Sequence, residues 1–160
     1  MLKREYDQVC SIARTLEVLG ERWTLLVIRD VFNGRRRFDQ IQENLGVARN
    51  VLSTRLAWLV DEGILEKRPY QERPPRYEYF LTEKGLDLWP VMISLMHWGD
   101  QHLDDQQGPP MVIHHKGCGG VVDDRGYCTA CGTRLTARDV YKEHGPGAPA
   151  EWRETETASV

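Results

Sequence analysis

The chain has 160 residues, of which 41% are hydrophobic and 28% charged, enough for one ordinary core with a small appendage and too short for a large multidomain enzyme. Its mean hydropathy is −0.52 and no apolar run approaches the roughly 20 residues that cross a bilayer, so neither an integral membrane protein nor a membrane partner is expected. The formal net charge of −3 hides an uneven distribution, because between Arg35 and Arg76 nine basic residues stand against six acidic ones, leaving a positive face available to nucleic acid.

The N-terminal Met1-Leu2-Lys3-Arg4-Glu5-Tyr6-Asp7 lacks the apolar stretch of a secretion signal, which makes the cytoplasm the expected compartment. Ile12, Leu16 and Leu19 then mark one face of a first helix, ended by Gly20 in a left-handed position. Cys10 precedes that helix, near the positive end of its dipole, where thiolate chemistry is favoured. Trp23 to Phe32 is apolar almost all round, as a helix in the centre of a core must be. Asn33-Gly34 stops it. Phe38, Ile41 and Leu45 form a short amphipathic helix closed by Gly46, and Val51, Leu52, Leu56, Leu59 and Val60 form a longer one running to Gly63. Two helices joined by a short Gly-containing turn make a helix-turn-helix, whose second helix fits a major groove about 12 Å wide.

Ile64–Tyr70 and Arg76–Thr82 read as strands, with Tyr77, Tyr79 and Leu81 alternating onto one face. Pro74 and Pro75 should keep the loop between them extended, presenting Arg73 and Arg76 outward. A helix-turn-helix followed by a basic hairpin is a winged helix, so the expected fold class is mainly α with a small β wing. Thr82 caps a last helix carrying Leu88, Val91, Met92, Leu95 and Trp98, with Pro90 expected to kink it. That much apolar surface on a terminal helix implies a two-fold homodimer interface, shared with the first helix.

Asp104 to Pro110 is polar and then helix-breaking, which places a boundary there: residues 1–105 form the winged domain, 110–140 a separate module and 141–160 a disordered tail. Three of the four cysteines fall in the module, as His115-x2-Cys118 and Cys128-x2-Cys131. Donor pairs at that spacing make the closed tetrahedral set of a structural Zn(II) site, one per chain, in a zinc-ribbon-like module. His115 is preferred to His114 because it preserves the spacing. So small a module should fold only with its metal.

Cys10-Ser11-Ile12, Leu19-Gly20-Glu21-Arg22-Trp23-Thr24-Leu25-Leu26-Val27-Ile28-Arg29, Arg37-Phe38-Asp39-Gln40-Ile41, Leu52-Ser53-Thr54-Arg55-Leu56 and Tyr77-Glu78-Tyr79-Phe80-Leu81-Thr82-Glu83-Lys84-Gly85 together resemble the successive signatures of HxlR-type transcriptional regulators. The resemblance implies a dimeric winged-helix protein of MarR-like architecture that binds double-stranded DNA; no enzyme is expected, because the sequence carries no Gly-rich phosphate loop, nucleophile elbow or coupled carboxylate pair. It departs from the family at Ser11, where Pro is common, and at Ala48, where a capping Ser usually opens the recognition helix; an Ala cap costs about 1 kcal/mol.

In that helix the apolar set faces the core, leaving Arg49, Asn50, Ser53, Thr54 and Arg55 for DNA. Arg49 and Asn50 suit paired hydrogen bonds to guanine and adenine edges, and Ser53 and Thr54 suit phosphates or methyl groups. Arg55 is either a contact or a structural ion-pair partner. Arg73 and Arg76 suit the backbone or minor groove. The run Arg35-Arg36-Arg37 is positioned either to meet phosphates, Arg37 above all, or to form a solvated face. Some members of the family sense oxidants through a cysteine matching Cys10, whose alternative role is a small residue buried in the dimer. The leading function is a transcription regulator, a repressor on a pseudo-palindromic operator that responds to redox or electrophile signals; the alternative is a protein-interaction adaptor built from the same two modules.

Overall fold

A computed structural model describes residue 6 and residues 8–103 and 107–152. The chain divides into two units, Met1–Asp87 and Leu88–Val160, so the boundary falls ahead of the last long helix and not at the expected 105.

In the first unit, α1 (Ser11–Leu19), α2 (Thr24–Phe32), α3 (Phe38–Leu45) and α4 (Arg49–Asp61) precede β1 (Leu65–Gln71), β2 (Arg76–Leu81) and a single turn of helix, α5 (Glu83–Leu86). The core comprises Val27 and Ile28 of α2, both completely buried, together with Ile41 of α3, Leu52, Leu56 and Leu59 of α4, and Leu65 of β1, with α2 packed on α3, α4 and β2. Each such side chain contributes roughly 1.5–3 kcal/mol of burial. Trp58 of α4 donates its indole N–H to the Val18 carbonyl of α1 at 3.1 Å.

Among the described residues Thr24, Asp30 and Arg55 are polar side chains buried with this core. Asp30 is fully buried, and its carboxylate accepts from Asn44 Nδ2 at 3.0 and 2.8 Å and from Arg29 at 3.2 and 2.9 Å. It ties α2 to the end of α3. The apolar pattern of α2 gives no hint of it.

Gly20 differs from expectation. It is right-handed (φ −74°), and what selects glycine is space, since a Cβ would lie 2.4 Å from the Leu16 carbonyl oxygen. Gly46 does adopt the expected left-handed conformation after α3.

The wing pairs β1 with β2 antiparallel, from Leu65 opposite Leu81 to Pro69 opposite Tyr77, with a register shift before Gln71 meets Arg76. The intervening loop turns tightly and is not extended, because Gln71 Nε2 donates to the Arg73 and Pro74 carbonyls at 3.2 and 3.1 Å. The expected one-sided alternation in β2 is also absent: Glu78 to Leu81 are all half-buried. The outer edge of β2 is covered by residues 36 and 37, through a bridge between Arg37 and Glu78 and a 2.8 Å hydrogen bond from the Tyr79 N–H to the Arg36 carbonyl.

Thr82 does cap a helix, accepting from the Gly85 N–H at 3.1 Å, but that helix is α5 alone. In the second unit, α6 (Trp89–His102) starts afresh with Pro90 in its first turn. An N–H there would lack an intrahelical partner anyway, so the proline opens the helix where a kink was expected. Val91, Leu95 and Trp98 of α6 are exposed, as are Ile12 and Leu16 of α1. Beyond α6, β3 (Met111–His115) pairs antiparallel with β4 (Val140–His144), His115 opposite Val140. The module therefore runs past 140 and claims the start of the expected tail, with Trp152 against His144 at a ring separation of 6.0 Å; the tail's residues 153–160 lie outside the described residues. Among the described residues no helix is long and apolar enough to cross a membrane.

Candidate nucleic-acid interface and metal centre

Helix α4 begins at Arg49 after Ala48, which is extended (φ −60°, ψ 140°) and supplies no side-chain cap. The heptad-like burial of Leu52, Leu56 and Leu59 leaves Arg49, Asn50, Ser53 and Thr54 exposed together. Arg49 is three-quarters exposed and 4.0 Å from the Asp39 carboxylate, with its guanidinium 4.8 Å from the Phe38 ring. Thr54 donates its hydroxyl to the Asn50 carbonyl at 2.9 Å.

Arg55 does not belong with them. It is 5% exposed and 3.5 Å from Glu21, one helical step onto the core side of α4. Burial lowers its pKa while Glu21 opposes that shift. The ion pair with Glu21 is the contact it makes in this fold.

Arg73 and Arg76 are exposed at the wing tip. Arg37 is half exposed, but its Nε donates to Glu78 at 2.9 Å and its guanidinium lies 4.4 Å from the Tyr70 ring; the hydrogen bond to Glu78 raises its pKa. Gln40 fixes the turn, accepting from the Arg36 and Arg37 N–H groups at 3.1 Å.

In the second unit the four expected donors converge: the ligand atoms of His115, Cys118, Cys128 and Cys131 all lie within 4.8 Å of one another. Cys118 Sγ is 3.3 Å from His115 Nδ1 and 3.4 Å from Cys128 Sγ, and Cys131 Sγ is 3.4 Å from the same Nδ1. The imidazole thus faces the sulfurs through Nδ1. His114 points elsewhere, with Nδ1 3.0 Å from the Gly119 carbonyl and its ring stacked on Tyr141.

The backbone prepares the thiols for a cation. Cys131 is lowered to about 6, chiefly by the Thr133 hydroxyl and N–H, and Cys128 is lowered by the Cys131 and Ala130 N–H groups. Cys118 has the Gly120 N–H favouring its thiolate, yet the neighbouring Cys128 pushes it up overall; His115 is raised, first by Cys128. Removing protons from clustered sulfurs is unfavourable without a positive charge among them, which is what a metal supplies. The chain is close-fitted around the cluster, since a Cβ on Gly120 would lie 2.5 Å from Cys128 Sγ. These donors can hold a metal ion. The Cys-x2-Cys spacing signals the ligands but not Thr133 or Gly120, whose parts depend on how the knuckles fold.

The first unit is a winged helix-turn-helix of MarR-like architecture. The family model for the HxlR-like helix-turn-helix matches residues 18–107, and the chain belongs to that family as a transcriptional regulator. It is 48% identical over 141 residues to the uncharacterized HTH-type transcriptional regulator Rv3095 of Mycobacterium tuberculosis (strain ATCC 25618 / H37Rv), covering 88% of this chain and 89% of the relative. An alignment that long continues past the family match into the cysteine module. Among solved structures, PA1607 superposes with a TM-score of 0.67 at 32% identity over 83% of this chain and 93% of that one. The redox regulator HypR in its reduced form gives 0.56 at 28% identity over 59% and 95%.

Proposed function

We propose that the protein is a sequence-specific regulator that binds double-stranded DNA as a homodimer and represses by occupying a pseudo-palindromic operator in the cytoplasm. The observation that carries this reading is the exposed cluster of Arg49, Asn50, Ser53 and Thr54 on α4, in the class of fold that places such a helix in the major groove. Arg49 and Asn50 read base edges, Ser53 and Thr54 meet phosphates or methyl groups, and Arg73, Arg76 and the outer edge of Arg37 follow the backbone. The exposed apolar faces of α1 and α6 support the homodimer.

The Cys118, Cys128, Cys131 and His115 set holds one structural Zn(II): three soft thiolates and an imidazole suit that ion. With all four positions taken by protein donors it would brace the module and perform no chemistry. Cys10, exposed at the N-cap of α1, gives an oxidant a thiol to modify, and the likeness to a redox regulator supports that response. Peroxide treatment of wild-type protein and Cys10→Ser should lower DNA affinity in the first only. Fluorescence anisotropy on a labelled duplex tests DNA binding itself: affinity should fall by orders of magnitude between about 50 and 200 mM salt if each protomer neutralises several phosphates. A shallow slope would contradict it.

A further inference from the structure

Aromatic rings on the wing and on α3 carry four arginines. The Arg49 guanidinium carbon lies 4.8 Å from the Phe38 ring centroid and that of Arg37 4.4 Å from Tyr70. Those of Arg36 and Arg68 each lie 4.4 Å from Phe80, so these two charges are no further apart than twice that distance. Arg36, Arg37 and Phe38 are consecutive, which makes the arrangement continuous from the start of α4 to the outer face of the wing. The Tyr79 N–H to Arg36 carbonyl bond and the Arg37–Glu78 bridge hold this stretch against β2.

The carboxylates answer three of these charges and leave the fourth. Asp39 is near Arg49, Glu78 pairs with Arg37 and Glu66 pairs with Arg68, but among the described residues no carboxylate lies within ion-pair distance of Arg36. Both Arg36 and Arg68 are exposed. Folding rests all four guanidinium groups on aromatic rings and leaves the charge of Arg36 without a carboxylate partner among the described residues. Contact through the face of a guanidinium leaves its in-plane N–H fork for a partner, and a side chain already restrained loses less entropy when it binds.

We infer that Arg36 and Arg68, held by Phe80, are phosphate-contacting residues that extend the DNA interface from the recognition helix along the backbone beside the wing. Phe80 is a positioning residue. The inference rests on the DNA-binding reading above and assigns two contacts to it that the helix and the wing tip do not contain. Because phosphates carry no sequence information directly, these residues add affinity and fix orientation without choosing bases.

The test is anisotropy on a labelled mixed-sequence duplex across a salt series, comparing wild type with Arg36→Gln, Arg68→Gln, Arg36→Lys, Phe80→Leu and Arg49→Ala, each checked by thermal melting. Each Gln variant should flatten the log–log salt slope by about 0.9 and weaken binding about fivefold near 150 mM, the factor one phosphate contributes at that slope relative to 1 M salt. Arg36→Lys should restore the slope. Phe80→Leu should weaken binding while keeping the slope, because the charges remain but are no longer held in place. Wild-type slope and affinity in both Gln variants, with Arg49→Ala weakened, would overturn this inference and leave DNA binding standing. No salt-dependent binding by the wild type would overturn both.

Discussion

Removing the metal should unfold the module and leave the winged unit folded. Among the described residues, the large apolar side chains buried between 107 and 152 are Val122 and Leu135, worth together about 3–6 kcal/mol by burial. A structural zinc contributes about 10–16 kcal/mol of apparent binding free energy at neutral pH, more than that small core. Cys128→Ser, at a site 2% exposed, should therefore cost the module its fold. Elemental analysis of protein purified without chelator should find about one zinc per wild-type chain, and in amide NMR spectra the resonances of 107–152 should collapse to unfolded positions on adding chelator. The pH dependence has a definite sign. The folded Cys131 pKa is depressed to about 6 by its protein neighbours alone, so its thiolate contribution is complete above the ordinary cysteine value near 8.5 and fades as pH falls through about 6; a bound cation favours the thiolate further, so metal should be retained at that pH and lost only at lower pH. Well-dispersed module amides in protein stripped of metal would refute the reasoning.

Other perturbations follow from the same contacts. Asn44→Ala removes two hydrogen bonds from the buried Asp30 carboxylate and should cost about 1.5–3 kcal/mol in urea unfolding; an unchanged midpoint would mean that Arg29 or solvent replaces them. Arg49→Ala should lose about 1–3 kcal/mol of affinity and relax preference at one operator position, whereas uniform weakening across sequences would make it a phosphate contact. Trp98→Glu places a charge on the exposed face of α6 and should convert a dimer to a monomer by light scattering; an unaltered mass would exclude that face from the interface.

The helices and the wing were legible because their apolar residues recur at the periods that burial imposes, and the metal ligands because coordination requires fixed short spacings. What the periodicities missed depends on long-range contact. Arg55 reads as exposed or buried according to whether Glu21, on another segment, stands opposite it. Asp30 is invisible within an apolar helix until Asn44 arrives beside it. Covering of the β2 edge by Arg36 and Arg37 removed the alternation that a free two-stranded wing would show. Pro90 and Thr82 were sound signals, but each belongs to a different helix. The arginines resting on Phe80 come from segments far apart in sequence, and no local pattern joins them.

Whether α4 reads a two-fold operator is decided by selecting bound fragments from a random DNA pool at about 150 mM salt with metal-replete protein. A dimer reading DNA through α4 should enrich a motif of two inverted half-sites about one helical turn, roughly 34 Å, apart. Recovery of no enriched sequence, with binding lost near that salt, would contradict it and favour a protein-interaction adaptor in a DNA-binding fold.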